Sequence, residues 1–141
     1  MPHAQVLSGS AGQVRRSVPG FVCTLRDGGF DAAWVHVAGE LDMATAPPLE
    51  QTLRRAEIRP RVVLDLRELA FMDWSGIRVI IQASIRATRM GRRLVVVRGR
   101  AQVDGVITLT GASAVLEVVD LDPVQPPVQA LVQLAHRDRA A

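Results

Sequence analysis

The chain has 141 residues, 48% of them hydrophobic and 22% charged, which is the balance of a globular protein and too short for two ordinary domains. All 17 basic residues are arginine, and against 14 acidic residues they leave a net charge of only +3. So small an excess reads as a compositional preference on solvated faces rather than a phosphate-binding surface. One cysteine, Cys23, excludes an internal disulfide, and His3, His36 and His136 lack partners at ligand spacing, so no metal and no cofactor is expected. Apolar runs such as Leu94-Val95-Val96-Val97 fall far short of the roughly 20 residues of a spanning helix. No segment has the apolar centre of a secretory signal, so a soluble, cytoplasmic protein is expected.

Residues 1–19 contain Ser8, Gly9, Ser10, Gly12, Ser17 and Pro19 without periodicity and are expected as a disordered tail. From Phe21, alternation of Phe21, Cys23 and Leu25 with Val22, Thr24 and Arg26 predicts a strand. Asp27-Gly28-Gly29 predicts the turn and residues 34–38 the return strand, with Trp34, His36 and Ala38 on one face and Val35 and Val37 on the other. Cys23 is expected as a small core residue. Thr45 is placed to cap a helix that takes Pro47 and Pro48 in its first turn, with Leu49, Leu53 and Ala56 inside and Glu50 and Arg54 paired outside. Residues 61–66 and 92–98 are short apolar runs of the kind buried on two faces, as central parallel strands are.

The helix between them ends at Gly91. One of its stripes, Ile77, Ile80, Ile81, Ser84, Ile85 and Thr88, is expected to pack; another, Arg78, Gln82, Arg86 and Arg89, faces solvent or a partner. A weaker helix ends at Gly111, a last strand covers residues 116–120, and a helix opened by Pro126 and Pro127 closes the chain. The predicted class is α/β: a mostly parallel, mixed central sheet with an N-terminal β-hairpin and helices packed on it, in one domain over residues 20–138.

Nothing in this pattern makes a catalytic site. His36 has no assignable nucleophile or orienting carboxylate, no glycine-rich phosphate loop occurs, and the carboxylates sit at turns, so no catalytic residue is expected. Arginine groups such as Arg54, Arg55, Arg59 and Arg61 raise nucleic-acid binding, but three Phe, two Trp and no Tyr give little for bases to stack on.

Two motifs carry a resemblance. Val62-Val63-Leu64-Asp65-Leu66, then Phe71-Met72-Asp73 and Ser75-Gly76-Ile77 at a helix start, resembles the signature of STAS domains, the anti-anti-sigma factors of bacterial partner-switching pathways. Val37-Ala38-Gly39-Glu40-Leu41-Asp42 before Thr45-Ala46 is similar to that family's Gly-Glu-Leu-Asp turn. The resemblance implies a protein that binds an anti-sigma factor, often a serine kinase, through the Asp-Ser-Ser-Gly loop and is released when the first serine is phosphorylated. It makes Asp73, Trp74, Ser75, Gly76 and Arg78, with Glu40 and Asp42, the expected partner-binding and switch surface. A different use of the same fold is a scaffold or accessory subunit of a transporter or a stress-signalling assembly.

This chain has Trp74 where the first serine stands, so the usual phosphoacceptor is missing. Ser75 reads either as a helix N-cap or as a candidate phosphosite, and Asp73 as a partner of the helix dipole or a carboxylate beside the switch. Trp74 either joins the core or faces outward one turn before Arg78, as an aromatic and cationic anchor for a partner.

Overall fold

The computed structural model describes residues 13–140 and the backbone of residues 5–8. Seven strands form one sheet in sequence order: β1 (Gln5–Ser8), β2 (Val14–Val18), β3 (Phe21–Gly29), β4 (Ala32–Leu41), β5 (Arg61–Met72), β6 (Arg93–Val97) and β7 (Glu117–Val119). β1 to β4 pair antiparallel; β4 to β7 pair parallel. The parallel crossovers are α1 (Ala46–Ala56), α2 (Trp74–Arg89) and α3 (Ala101–Leu109), and α4 (Val128–Ala140) follows β7. Each crossover steps the same way across the sheet, so right-handed connections put all three helices on one face.

That face holds the main core, where Val35, Val37, Leu64, Leu66 and Val96 meet Leu49, Leu53, Ile77, Ile80, Val103 and Ile107. On the other face α4 lays Ala130, Leu131 and Leu134 over Val63, Val95, Val97 and Val119. Alternation on β4 and β5 divides their side chains between the two cores. α4 is tied down by Gln133 Nε2, which donates to the Asp120 carbonyl at 2.7 Å, and by Asp138, 2.7 Å from Arg93.

Five local expectations are corrected. Residues 14–18, expected in the tail, form β2, because its backbone pairs with β3 while Val18 packs on the core and Arg16 donates to Gln51 of α1; residues 1–4 and 9–12 lie outside the described residues. The β3–β4 turn sits at Phe30 and Asp31, with φ of 50° and 62°, since Asp27 Oδ1 accepts from the Gly29 amide and the glycines are absorbed in a bulge. β5 runs on to Met72 rather than stopping at residue 66: after shifts in register its end pairs with Gly39–Leu41 and buries Leu69 and Met72. On α2 the buried stripe is Ile77, Val79, Ile80, Ala83, Ser84 and Ala87; Ile85 and Thr88 point out, and Arg86 is held at 2.6 Å against Glu57, the residue that caps the end of α1. Thr45 is the N-cap residue of α1, but its hydroxyl makes no capping bond.

Candidate functional site

At the carboxyl edge of β4 and β5 the two sequence motifs meet. Leu41 pairs with Met72, and the Asp73 amide donates to the Leu41 carbonyl at 3.1 Å. Each motif glycine is required by a close approach, Gly39 to the β2–β3 connection and Gly76 to the other motif. Gly39 has φ of +97°, and a Cβ there would lie 2.1 Å from the Gly20 carbonyl oxygen, which also accepts from the Glu40 amide. A Cβ on Gly76 would lie 2.6 Å from Cγ of Leu41. The space beside Gly76 is therefore filled by the other motif.

The turn after β4 is closed by its own side chains. Asp42 Oδ1 accepts from the amides of Ala44 and Thr45 at 2.9 and 3.1 Å, and the Thr45 hydroxyl donates to the Glu40 carbonyl at 2.8 Å while accepting from the Asp42 amide. Thr45 thus braces the turn instead of its helix, which explains the missing cap. Asp42 is spent on this brace; Glu40 is exposed and makes no ion pair among the described residues.

At α2 the N-cap is Asp73, whose Oδ1 accepts from the amides of Ser75 and Gly76 at 2.8 and 3.4 Å. This corrects the expectation for Ser75. Extended backbone at residue 73 aims a short carboxylate at the unpaired amides of the first turn, and its charge suits the positive end of the helix dipole. Ser75 lies inside the first turn, half-buried, and its hydroxyl has no hydrogen-bond partner among the described residues.

Trp74, the first residue of α2, is 58% exposed, and Arg78 one turn on is also exposed. Two more apolar side chains from the segments around the motifs are exposed, although neither was expected on this surface: Phe71 at 48% and Met43 at 78%. Phe71 is paired with Glu40, so strand register and the Leu41–Asp73 bond bring Met43, Phe71 and Trp74 to one edge of the sheet. Strict alternation would put Phe71 on the buried face with Leu69; it is exposed because the register shift opposite Gly39 and Glu40 breaks the alternation of β5 at this point. Arg78 does not stack on Trp74; among the described residues the cation–π contact is Arg26 over Trp34.

A family model, the STAS domain, matches residues 27–130, which include both motifs and the edge they build. The chain belongs to the STAS domain family. Among curated proteins it is similar to the anti-sigma-B factor antagonists of Listeria monocytogenes and Listeria innocua, each 28% identical over 90 residues, covering 62% of this chain and 79% of the relative. Its fold is similar to that of an anti-sigma factor antagonist from Mycobacterium paratuberculosis, with a TM-score of 0.68 at 24% identity over 81% of this chain and 97% of that one. SpoIIAA, an anti-sigma factor antagonist solved in its unphosphorylated form, gives 0.66 at 15% identity over 81% and 96% of the two chains. No described helix of this STAS protein is long and apolar enough to cross a membrane.

Proposed function

We propose that this STAS protein is a binding module, not an enzyme, acting as an antagonist of an anti-sigma factor in a partner-switching pathway. Its contact surface is the edge formed by Glu40, Asp42, Met43, Phe71, Asp73–Gly76 and Arg78. The exposure of Trp74 at the start of α2 carries this reading: a large ring kept in water beside Phe71 and Met43 costs solvation that a partner would recover, and Trp and Arg dominate binding energy at interfaces. The names of the Listeria relatives supply the class of partner, an anti-sigma factor, and the family resemblance adds that it is a serine-kinase-like regulator.

Binding by this chain is not released by phosphorylation at the usual place. An indole at residue 74 has no hydroxyl to accept a phosphoryl group. Ser75 is not consumed as a cap, but its oxygen lies one residue into the turn, beside the Asp73 carboxylate that would repel a phosphate.

Affinity capture from the native cell, in the cytoplasm where such a pathway runs, provides the test. Wild type is expected to retain an anti-sigma ATPase, and Trp74→Ala and Trp74→Ser, which both lack the ring, to lose it with unchanged folding. Equal capture by wild type and Trp74→Ala, or phosphate on Ser75 of the wild type with loss of the partner, refutes the proposal.

A further inference from the structure

The sheet face under α4 is only partly covered. Beside the helix, past the carboxyl end of β6 and along residues 65–68 of β5, a cleft of about 900 Å³ opens to solvent, lined by Trp34 and His36 of β4, by Arg26, Arg67 and Arg100, and by the connection through Pro123. It lies on the opposite face of the sheet from α1, α2 and α3, whose core takes Val35 and Val37. The volume is in the usual range for a ligand site.

The cations of this cleft are unequally matched. Arg67 donates to Asp65 at 2.9 and 2.8 Å, and its Nη1 donates to the carbonyls of Asp122 and Gln125 at 2.7 and 2.8 Å, clasping the connection that leads to α4. Arg98 is 2.6 Å from both Asp104 and Asp120, and His36 is 3.5 Å from Glu68. Arg26 and Arg100 have no carboxylate partner among the described residues. Arg26 instead lies 5.2 Å from the centre of the Trp34 ring, which His36 meets edge-on at 5.8 Å. Trp34 Nε1 is a buried donor without an acceptor among the described residues, a rare state for a buried N–H.

We propose that this cleft binds a small organic anion with a planar ring, a carboxylate or phosphate held by the guanidinium groups of Arg26 and Arg100 with its ring against Trp34. The carboxylates of the cleft, Asp65 and Glu68, already face Arg67 and His36, so an entering anion meets two open positive charges. An aromatic body suits the Trp34 and His36 rings better than a hydrated inorganic ion does. Gly99 leaves room for this approach: a Cβ there would lie 2.7 Å from the Leu66 carbonyl oxygen, so the backbone beside Arg100 runs flush with β5.

The chain has two tryptophans, so Trp74→Phe leaves Trp34 as the only indole and its emission reports on the cleft alone. Phenyl phosphate is titrated into this variant, with inorganic phosphate (anion without ring) and phenol (ring without anion) in parallel. The expected result is a saturable change with phenyl phosphate, half complete near about 1 mM, and a much weaker response to either fragment. Arg26→Gln and Arg100→Gln, both at exposed positions, should each raise the half-saturation about tenfold with an unchanged circular-dichroism spectrum. A linear, unsaturable response, an equal response to inorganic phosphate, or indifference to both substitutions overturns the proposal.

Discussion

Replacing Gly76 by alanine tests whether the two motifs are joined by close packing. The added methyl would stand 2.6 and 2.7 Å from Cγ and Cδ2 of Leu41 and 3.0 Å from Cγ of Met72, where ordinary contact begins at 3.4 Å. Leu41 is fully buried and Met72 is 2% exposed, so neither has space to withdraw. Overpacking of this kind costs about 1–3 kcal/mol, and alanine recovers up to about 1 kcal/mol through its better helix propensity. The net is a loss of about 1–2 kcal/mol, read as a fall of about 3–8 °C in Tm for a domain of this size. Urea denaturation should be repeated in a Leu41→Ala background, itself destabilised by about 2–5 kcal/mol. There the new methyl enters the space Leu41 has left, so Gly76→Ala becomes neutral or stabilising, a coupling of about 2 kcal/mol. Equal costs in the two backgrounds would refute the account of why glycine stands at residue 76.

Gly39→Ala should be worse, because it adds strain at φ of +97° to a backbone clash at 2.1 Å; a loss of at least about 3 kcal/mol, or failure to fold, is expected in the same denaturation assay. Asp73→Ala removes the cap of α2 and should cost about 1 kcal/mol, whereas Ser75→Ala should leave urea stability within about 0.5 kcal/mol. Arg67→Met strands the Asp65 carboxylate, which is 1% exposed, and should cost about 3–5 kcal/mol, most of it recovered when Asp65→Leu is added. Burial pushes the Cys23 thiol from 9.0 up to about 12, so native protein should resist iodoacetamide at pH 8 until it is unfolded. The unfolded thiol ionises first, and its contribution to stability should therefore be present below pH 9.0 and decline as pH rises toward about 12.

The order of strands and helices from Phe21 onward is legible in the sequence because each element has a strong period of its own, such as Leu49, Leu53 and Ala56 on α1 or the apolar run of β6. β2 has no such signal: Val14-Arg15-Arg16-Ser17-Val18 is specified by the edge of β3 it pairs with, a tertiary cause that local pattern does not carry. The cap of α2 is misplaced by two residues because aspartate and serine are both good caps, and only the extended backbone at residue 73 decides between them. The site is legible as two short motifs, and pairing Leu41 with Met72 makes one surface of them. Met43 and Phe71 on that surface escape a reading that looks for hydroxyls and charges. Asp65 and Arg67, by contrast, do have a sequence signal: a carboxylate inside an apolar strand needs a partner, and two residues on is the same face.

Because the strands are laid side by side in the order in which they occur, a chain leaving the ribosome can add each new strand to the edge of the last, without waiting for a distant segment. The valines that await α4 are the exception. Val63, Val95, Val97 and Val119 stay bare until the 13 residues of α4 have been synthesised, so the nascent protein is most prone to stick to its neighbours between the emergence of β7 and that of α4.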